Sequence, residues 1–553
     1  MKFNQTLLLL VFISFSSIFA QDSGKVNVGF ESNSQYYVDD AVTGDFTEED
    51  NFRSNNYLKA DYIINKFTFG LQAEGFAPQA ILNYSPNLDK DVAVATYFAN
   101  YKSKKIDATL GYFYEQFGSG LILRSWEDRQ LGINNALRGA KISYYPTNKI
   151  KITALYGKHR VGFKVSEGEI FGFDTNYDAS SENNTLQFGL SYVGRNHNTK
   201  DVYLANALTD KRFENLTNAF SGRINYAKNN IYANLEGVWK SKDAVVELGT
   251  VYSDKLFYGN ALLLEMGYSK KGIGFTTTMR RIENMNFYSD RQTQGNTFNE
   301  QIVNFVPALT RQQDYSLANI YVYQAQPKLS FNPLVKAGEI GLQWDLYYKL
   351  KKGTKLGGKY GTKIALNFSN WYGLDSDYNR DFKRMHTKFF AFGERYFTDI
   401  TLEVRKKLNR KNKMIFSYIN SYYNKTYVEE THGIIKSNIL AVEWSHKFEN
   451  KKSLRAEAQH LWTKEDKKNW MAATTEFNFN SHVSMFVGDM YNYGNDDTDK
   501  QSHSYNVGGS YAKNKTRIAL SYSRQRGGLL CVGGVCRVVS PATGFSMSIN
   551  TAF

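Results

Sequence analysis

The chain has 553 residues, 68 Lys or Arg against 53 Asp or Glu, a net charge of +15, and 15% aromatic residues. So many aromatics exclude a disordered chain, and two cysteines exclude a disulfide-framed miniprotein. The length fits several soluble domains of about 150 residues or one large closed β-structure.

The N-terminus reads as an address. Lys2 precedes an apolar run from Leu7 to Phe15, and Ala20 stands immediately before Gln21. This predicts a signal peptide over residues 1–20, cleaved after Ala20. The run is too short for the ~20 residues of a spanning helix. No Cys follows the cleavage site to carry a lipid. Beyond Gln21 no apolar run is long enough to span as a helix, and mean hydropathy is −0.48. A membrane barrel has such values because its apolar band is hidden in alternation.

That alternation begins at Lys25 to Phe30, which leaves no N-terminal plug domain, so residues 21–553 read as one unit. Phe67, Phe69, Leu71 and Ala73 alternate with Thr68, Gly70 and Gln72. Ile364, Leu366 and Phe368 repeat the pattern, as do Ile400, Leu402 and Val404. A period of two predicts strands with one apolar and one polar face. Short polar turns, among them Asn65-Lys66, Lys228 to Asn230, Lys270 to Gly272 and Lys513 to Lys515, alternate with longer polar loops. The longer loops include Asp39 to Asn56, Pro78 to Lys90, Arg160 to Asn184 and Asp375 to Thr387. Short–long alternation is the habit of outer-membrane barrels. The basic short turns suit a surface near anionic headgroups and account for much of the +15, so the charge is not read as nucleic-acid binding. The predicted fold is all-β: a single antiparallel transmembrane β-barrel of about 24 strands (range 20–26). Its short turns are periplasmic and its long loops extracellular. Lys200 to Asp210 is a candidate strand, and Gln301 to Gln326, which contains Pro307 and breaks the alternation, is expected to fold into the lumen.

The segment Glu115 to Arg138 is too charged for a lipid-facing strand. Glu115, Arg124, Glu127, Asp128, Arg129 and Arg138 form a candidate lumen charge network, interrupted by Gly118, Gly120 and Gly132. Two readings stand: a selectivity or gating element, or a fixed network that fills a wide barrel. Near the C-terminus, Cys531 and Cys536 flank Val532-Gly533-Gly534-Val535. Gly533-Gly534 suits a two-residue hairpin turn, which places the cysteines opposite each other, ~4.5 Å apart at Cα in a non-hydrogen-bonded pair. In an oxidising envelope this predicts a disulfide that stiffens the tip of the last outer loop. The chain ends on Phe545, Met547, Ile549, Thr551 and Phe553, which step by twos. That ending resembles the C-terminal signal read by the barrel-assembly machinery of Gram-negative bacteria.

Four blocks carry a wider resemblance: Gly111 to Gly139 (GYFYEQFGSGLILRSWEDRQLGINNALRG), Gly259 to Met285, Asn304 to Ala325, and Gly527 to Val539 (GGLLCVGGVCRVV). In order, they resemble an uncharacterised family of outer-membrane barrel proteins from Bacteroidota, a domain of unknown function. The resemblance implies fold and location and supplies no catalytic residues. By analogy with the large envelope complexes of that phylum, it implies partner subunits.

Enzymatic signatures are missing. There is no G-x-S-x-G, the eight His form no H-E-x-x-H, and Gly353 to Tyr360 has phosphate-loop spacing but Tyr360 in place of Ser or Thr. Two Cys with no His close by in sequence do not make a zinc site. The expectation is therefore a non-enzymatic integral barrel of the Gram-negative outer membrane, without cofactor or metal and without nucleic acid. Its partners are outer-membrane lipid and lipopolysaccharide, the assembly machinery during biogenesis, and other envelope subunits. A scaffold or accessory subunit of an assembly or secretion complex is the first functional reading. A porin-like or substrate-selective channel is the alternative, and adhesion through the outer loops is a third.

Overall fold

The structure, a computed structural model, describes residues 24–85, 87–88, 91–198, 214–247, 250–291, 300–330, 334–378, 385–431 and 433–553. The predicted signal peptide and the candidate strand at Lys200 to Asp210 lie outside these residues.

Among the described residues, 24 antiparallel strands form one sheet. The sheet closes on itself because Lys25–Tyr37 pairs with Phe52–Ile64 on one side and with the last strand, Ala542–Ala552, on the other. Strands about 4.8 Å apart and tilted about 40° close a circular ring roughly 45–50 Å across. Closure leaves this sheet no edge among the described residues, so each of its 24 strands finds a ladder partner on both sides.

Burial runs opposite to that of a soluble sandwich. In Phe67–Gly75 the apolar Phe67, Phe69 and Leu71 are exposed on the outside, while Gln72 and Glu74 are buried inside. In Met385–Lys407, Ile400 and Leu402 are exposed and Asp399, Thr401 and Glu403 are buried. Leu110 and Leu190 reach 65% and 64% exposure in mid-strand. A period-2 chain puts all of one face out, and here that face is the greasy one. Aromatic rings ladder across it, as in Tyr192–Phe220–Trp239–Tyr258. The terminal strand follows the rule, with Phe545 and Met547 exposed outward.

Connections alternate between the two ends of the barrel. At one end most are short, such as 229–230 between Leu216–Lys228 and Ile231–Glu247, or 514–515. At the other end lie the long ones. Two predicted loops are corrected. Arg160 to Asn184 is not one outer loop: it contains the strand Lys164–Asp178, entered by a tight turn at Gly162-Phe163 and left by the turn at 179–184. Phe171 and Phe173 stand on either side of Gly172, which presents no side chain and weakens the strand signal there. Asp375 to Thr387 is also shorter as a loop, since strands continue to Tyr378 and resume at Met385.

The long-loop half of the lumen is packed. Residues 114–136, 284–291, 300–330, 334–337 and 526–541 turn inward and build apolar cores against the inner wall. Phe117, Leu121, Ile122 and Leu123 pack with wall residues Ile170, Val193, Val238 and Ile282. Across the barrel, Tyr315, Leu317 and Tyr323 pack with Trp371, Phe397, Tyr423 and Leu461. Gln301 to Gln326 therefore lies in the lumen, as its broken alternation predicts.

Candidate functional site: the occluded lumen

The inner segments hold each other before they hold the wall. Arg124 N donates to Val303 O at 2.9 Å, and Phe305 N donates to Gly120 O at 2.9 Å. Asn135 Nδ2 reaches Ile302 O at 3.0 Å. The tip of the C-terminal hairpin (Gly528–Val532 and Val535–Val539) joins them, because Ala308 N donates to Gly534 O at 2.8 Å. Arg537 Nη1 donates to Leu131 O at 2.5 Å, and Arg526 Nη2 to Asn319 O at 3.1 Å.

The predicted pairing of Cys531 with Cys536 is present, across a turn with φ of +58° at Gly533 and +81° at Gly534. Its expected place is corrected. The hairpin tip does not project outward but folds down onto Pro307 and Ala308, and Cys536 and Arg537 are buried. A hairpin with apolar residues on both faces has more to bury against a filled lumen than in water.

The predicted charge segment separates into several environments. Arg129 is its centre: Nη1 meets Glu31 Oε2 at 2.6 Å, Nε meets Glu127 Oε1 at 3.0 Å, and the guanidinium lies 4.1 Å over the Tyr57 ring. Burial opposes its charge, but Glu127 and Glu31 outweigh burial and raise its pKa. Glu115 pairs instead with Lys141 at 3.0 Å. Asp128 accepts from Leu131 N at 2.9 Å, a turn contact. Arg124 lies 3.8 Å over Phe305 and 5.0 Å from the Trp126 ring, and burial lowers its pKa. Arg138 is a correction: it does not face the lumen. It shares its face of Leu137–Thr147 with Ala140, Ile142 and Tyr144, and is exposed on the outer surface opposite Tyr112 and Lys158.

The strongest anchors lie outside the predicted segment. Glu339 is fully buried and accepts from Arg280 Nη2 at 2.5 Å, Tyr323 Oη at 2.5 Å and Gln326 N at 2.8 Å. Arg280 also donates to Pro307 O at 2.7 Å. Asp243 holds Arg195 of the wall at 2.6 Å and Arg291 of the inner segment at 2.9 Å. Arg160 grips Glu74 with two bonds of 2.9 and 2.5 Å. Glu236 accepts from Ser119 N at 2.9 Å, while Arg223 beside it meets Asp174 at 2.6 Å. On the far wall, Arg311 meets Glu403 at 2.8 Å, Tyr315 Oη lies 3.0 Å from Ser417 Oγ, and Leu317 N donates to Gln459 Oε1 at 3.0 Å. Residues 300–323 thus cross from the wall around Val193, where Val303 packs, to the wall around Gln459. One signal for these anchors was present in the sequence: a charged residue inside a strand pattern, as in Met279-Arg280-Arg281-Ile282.

Two gaps beside the crossing are small. A cavity of about 50 Å³ lies among Arg311, Gln313, Tyr321 and Asp399, and another of about 50 Å³ among Trp126, Phe305 and Cys536. Each has room for a few waters. Toward the short-turn end the lumen is charged and wetter: Arg455 bridges Glu443 at 2.9 Å and Glu476 at 3.0 Å and also contacts Glu457, with Glu476 about 44% exposed.

Residues 1–553 match the family described as a family of unknown function, DUF6029. No curated protein matches the chain. Three solved structures are similar in fold. The siderophore receptor PirA from Pseudomonas aeruginosa is 8% identical, with 96% of this chain and 81% of the receptor covered and a TM-score of 0.41. Pseudomonas aeruginosa OccK9 (OpdG) is 10% identical, with 82% and 98% covered and a TM-score of 0.36. A BenF-like porin from Pseudomonas fluorescens Pf-5 is 8% identical, with 84% and 98% covered and a TM-score of 0.34.

Proposed function

The chain belongs to this family of unknown function, DUF6029, and from that footing we propose that it is a non-enzymatic integral barrel of the outer membrane whose lumen is closed by its own loops. Its short-turn end faces the periplasm, and it serves as a scaffold or accessory subunit of an envelope assembly or secretion complex. The observation that carries this reading is the crossing of residues 300–323 from wall to wall, held by the Arg311–Glu403 ion pair, by Tyr323 on Glu339 and by Arg280 on the Pro307 carbonyl. An open diffusion pore has no use for such a crossing. A buried pair is weak evidence for raw stability, and on this reading these pairs serve to hold one arrangement. Planar-bilayer recording of the purified chain is expected to find a silent barrel, and crosslinking in native membranes to find it joined to other subunits. A steady open pore, or recovery only as a free monomer, refutes the reading.

A second reading, a substrate-selective channel whose plug moves, is favoured by the water-facing charges around Arg455 below the crossing. On that reading conductance appears on plug displacement, and Arg124→Ala and Arg129→Ala change its ion selectivity. Unchanged selectivity in both removes the segment from the pore.

A further inference from the structure

The barrel's charge is concentrated on one arc of its short-turn rim. Residues 349–363 and 405–413 carry twelve Lys or Arg and no Asp or Glu. The two stretches are neighbours, because Lys363 pairs with Arg405 and Thr362 with Lys406 across adjacent strands. Two of the twelve are in ion pairs, Arg405 with Glu403 and Lys411 with Glu449. Like charges crowded on one rim repel each other even in water, so such a patch is favoured when something anionic meets it.

The loop is nevertheless built to hold its charges in place. The connection 350–361 has twelve residues where its counterparts at this end have two to six. Its shape is fixed internally: Gly353 N donates to Gly358 O at 2.9 Å, Gly358 N to Thr354 O at 2.8 Å, and Thr362 Oγ1 to Leu356 O at 2.8 Å. Gly353, Gly358 and Gly361 take φ of +82°, +63° and +82°, which a larger residue resists. Lys351, Lys352, Lys355 and Lys359 are exposed around it, and Leu356 at its tip is 73% exposed. Leu408, on the neighbouring turn, is 48% exposed, and Lys407 Nζ lies 5.2 Å from the Tyr360 ring centroid. Just inside this rim, on the outward face, stand Trp344, Phe368 and Tyr348. That order of aromatic band, then apolar tips among lysines, is the profile of a membrane–water interface.

We propose that this basic knuckle holds anionic phospholipid headgroups of the periplasmic leaflet, with Leu356 and Leu408 in the acyl boundary and the lysines on the phosphates. The occupant is lipid and not a free phosphate or an acidic protein, because the patch couples unpaired cations to exposed apolar tips beside the aromatic band. Each Lys near such a surface contributes about 1 kcal/mol, so four together give a preference of well over tenfold.

The test rests on the outer-membrane reading and separates the two. The full chain is reconstituted in nanodiscs of phosphatidylethanolamine with and without phosphatidylglycerol, and retained lipids are counted by native mass spectrometry. Wild type is expected to retain phosphatidylglycerol at least about tenfold over phosphatidylethanolamine. The fourfold variant Lys351→Gln, Lys352→Gln, Lys355→Gln, Lys359→Gln is expected to fall to near parity. A matched variant on the rest of the rim, Lys104→Gln, Lys105→Gln, Lys271→Gln, Lys515→Gln, is expected to keep most of the preference. No preference in wild type, or equal loss in both variants, overturns the proposal. Displacement of the lipid by millimolar inorganic phosphate reassigns the patch to a phosphate site. Binding of a polyglutamate peptide that phosphatidylglycerol does not displace reassigns it to an acidic protein. A chain that enters neither nanodisc refutes the membrane reading itself.

Discussion

Replacing Glu339 by Ala tests whether the inner segments are locked to the wall. Glu339 is fully buried, and its two oxygens take Arg280, Tyr323 and the Gln326 amide. The substitution leaves Arg280 with the Pro307 carbonyl and the face of Trp371, 5.4 Å away, but with no counter-charge. It also strands a buried tyrosine hydroxyl and a backbone N–H. Removing one partner of a buried pair costs about 3–5 kcal/mol, so the equilibrium for local opening of residues 300–330 shifts by roughly a hundredfold to a few thousandfold. The barrel ladder loses no backbone hydrogen bond, so the strands remain folded. Limited proteolysis and hydrogen exchange are expected to report faster opening of residues 300–330, while heat-modifiable migration of the barrel is unchanged. Glu339→Gln keeps an acceptor and should fall between. If segment protection in Glu339→Ala equals wild type, Glu339 does not hold the crossing in place, and the lock argument fails.

Three further outcomes follow from the same geometry. Leu190→Arg places a charge at an outward mid-strand position and is expected to cost about 2–4 kcal/mol in vesicle refolding; no penalty means that the outer face does not meet hydrocarbon. Cys531→Ser with Cys536→Ser opens a short loop worth about 2 kcal/mol by chain entropy, so amide exchange should quicken at 528–539 and 307–308 and nowhere in the wall. His197, buried beside Arg195 and Arg291 and accepting from Arg291 N at 3.3 Å, has its pKa lowered to about 4, first by burial and then by the two arginines. A base whose folded pKa lies below its unfolded value of about 6.5 stabilises the fold fully above that value and loses the contribution as pH falls toward 4. Histidine NMR should find this ring neutral at pH 5.5, and titration near 6.5 contradicts the burial argument.

The barrel was legible because a closed sheet with an apolar outer face and a polar lumen imposes a strict period of two, and because short, mostly basic turns alternate with longer loops. The Cys531–Cys536 pairing was legible for the same kind of reason: Gly533-Gly534 sets the register of its hairpin locally. Arg138 was misread because it sits where the irregular segment re-enters the strand. Extending the alternation back from Ile142 and Ala140 would have put it on the outer face. Arg129 is legible in the sequence as one member of a charged segment, but its partner Glu31 stands 98 positions away and no local spacing points to it.

The division follows from the range of the forces. Periodicity, turn chemistry and hairpin register act between near neighbours, so the chain alone determined an inside-out barrel of about 24 strands with one cross-linked hairpin. Which loops fall inward, and which carboxylate receives which arginine, depends on where a ring roughly 45–50 Å wide brings distant strands together. Only the closed tertiary structure places Glu339, Asp243 and Glu403 where Tyr323, Arg291 and Arg311 can reach them.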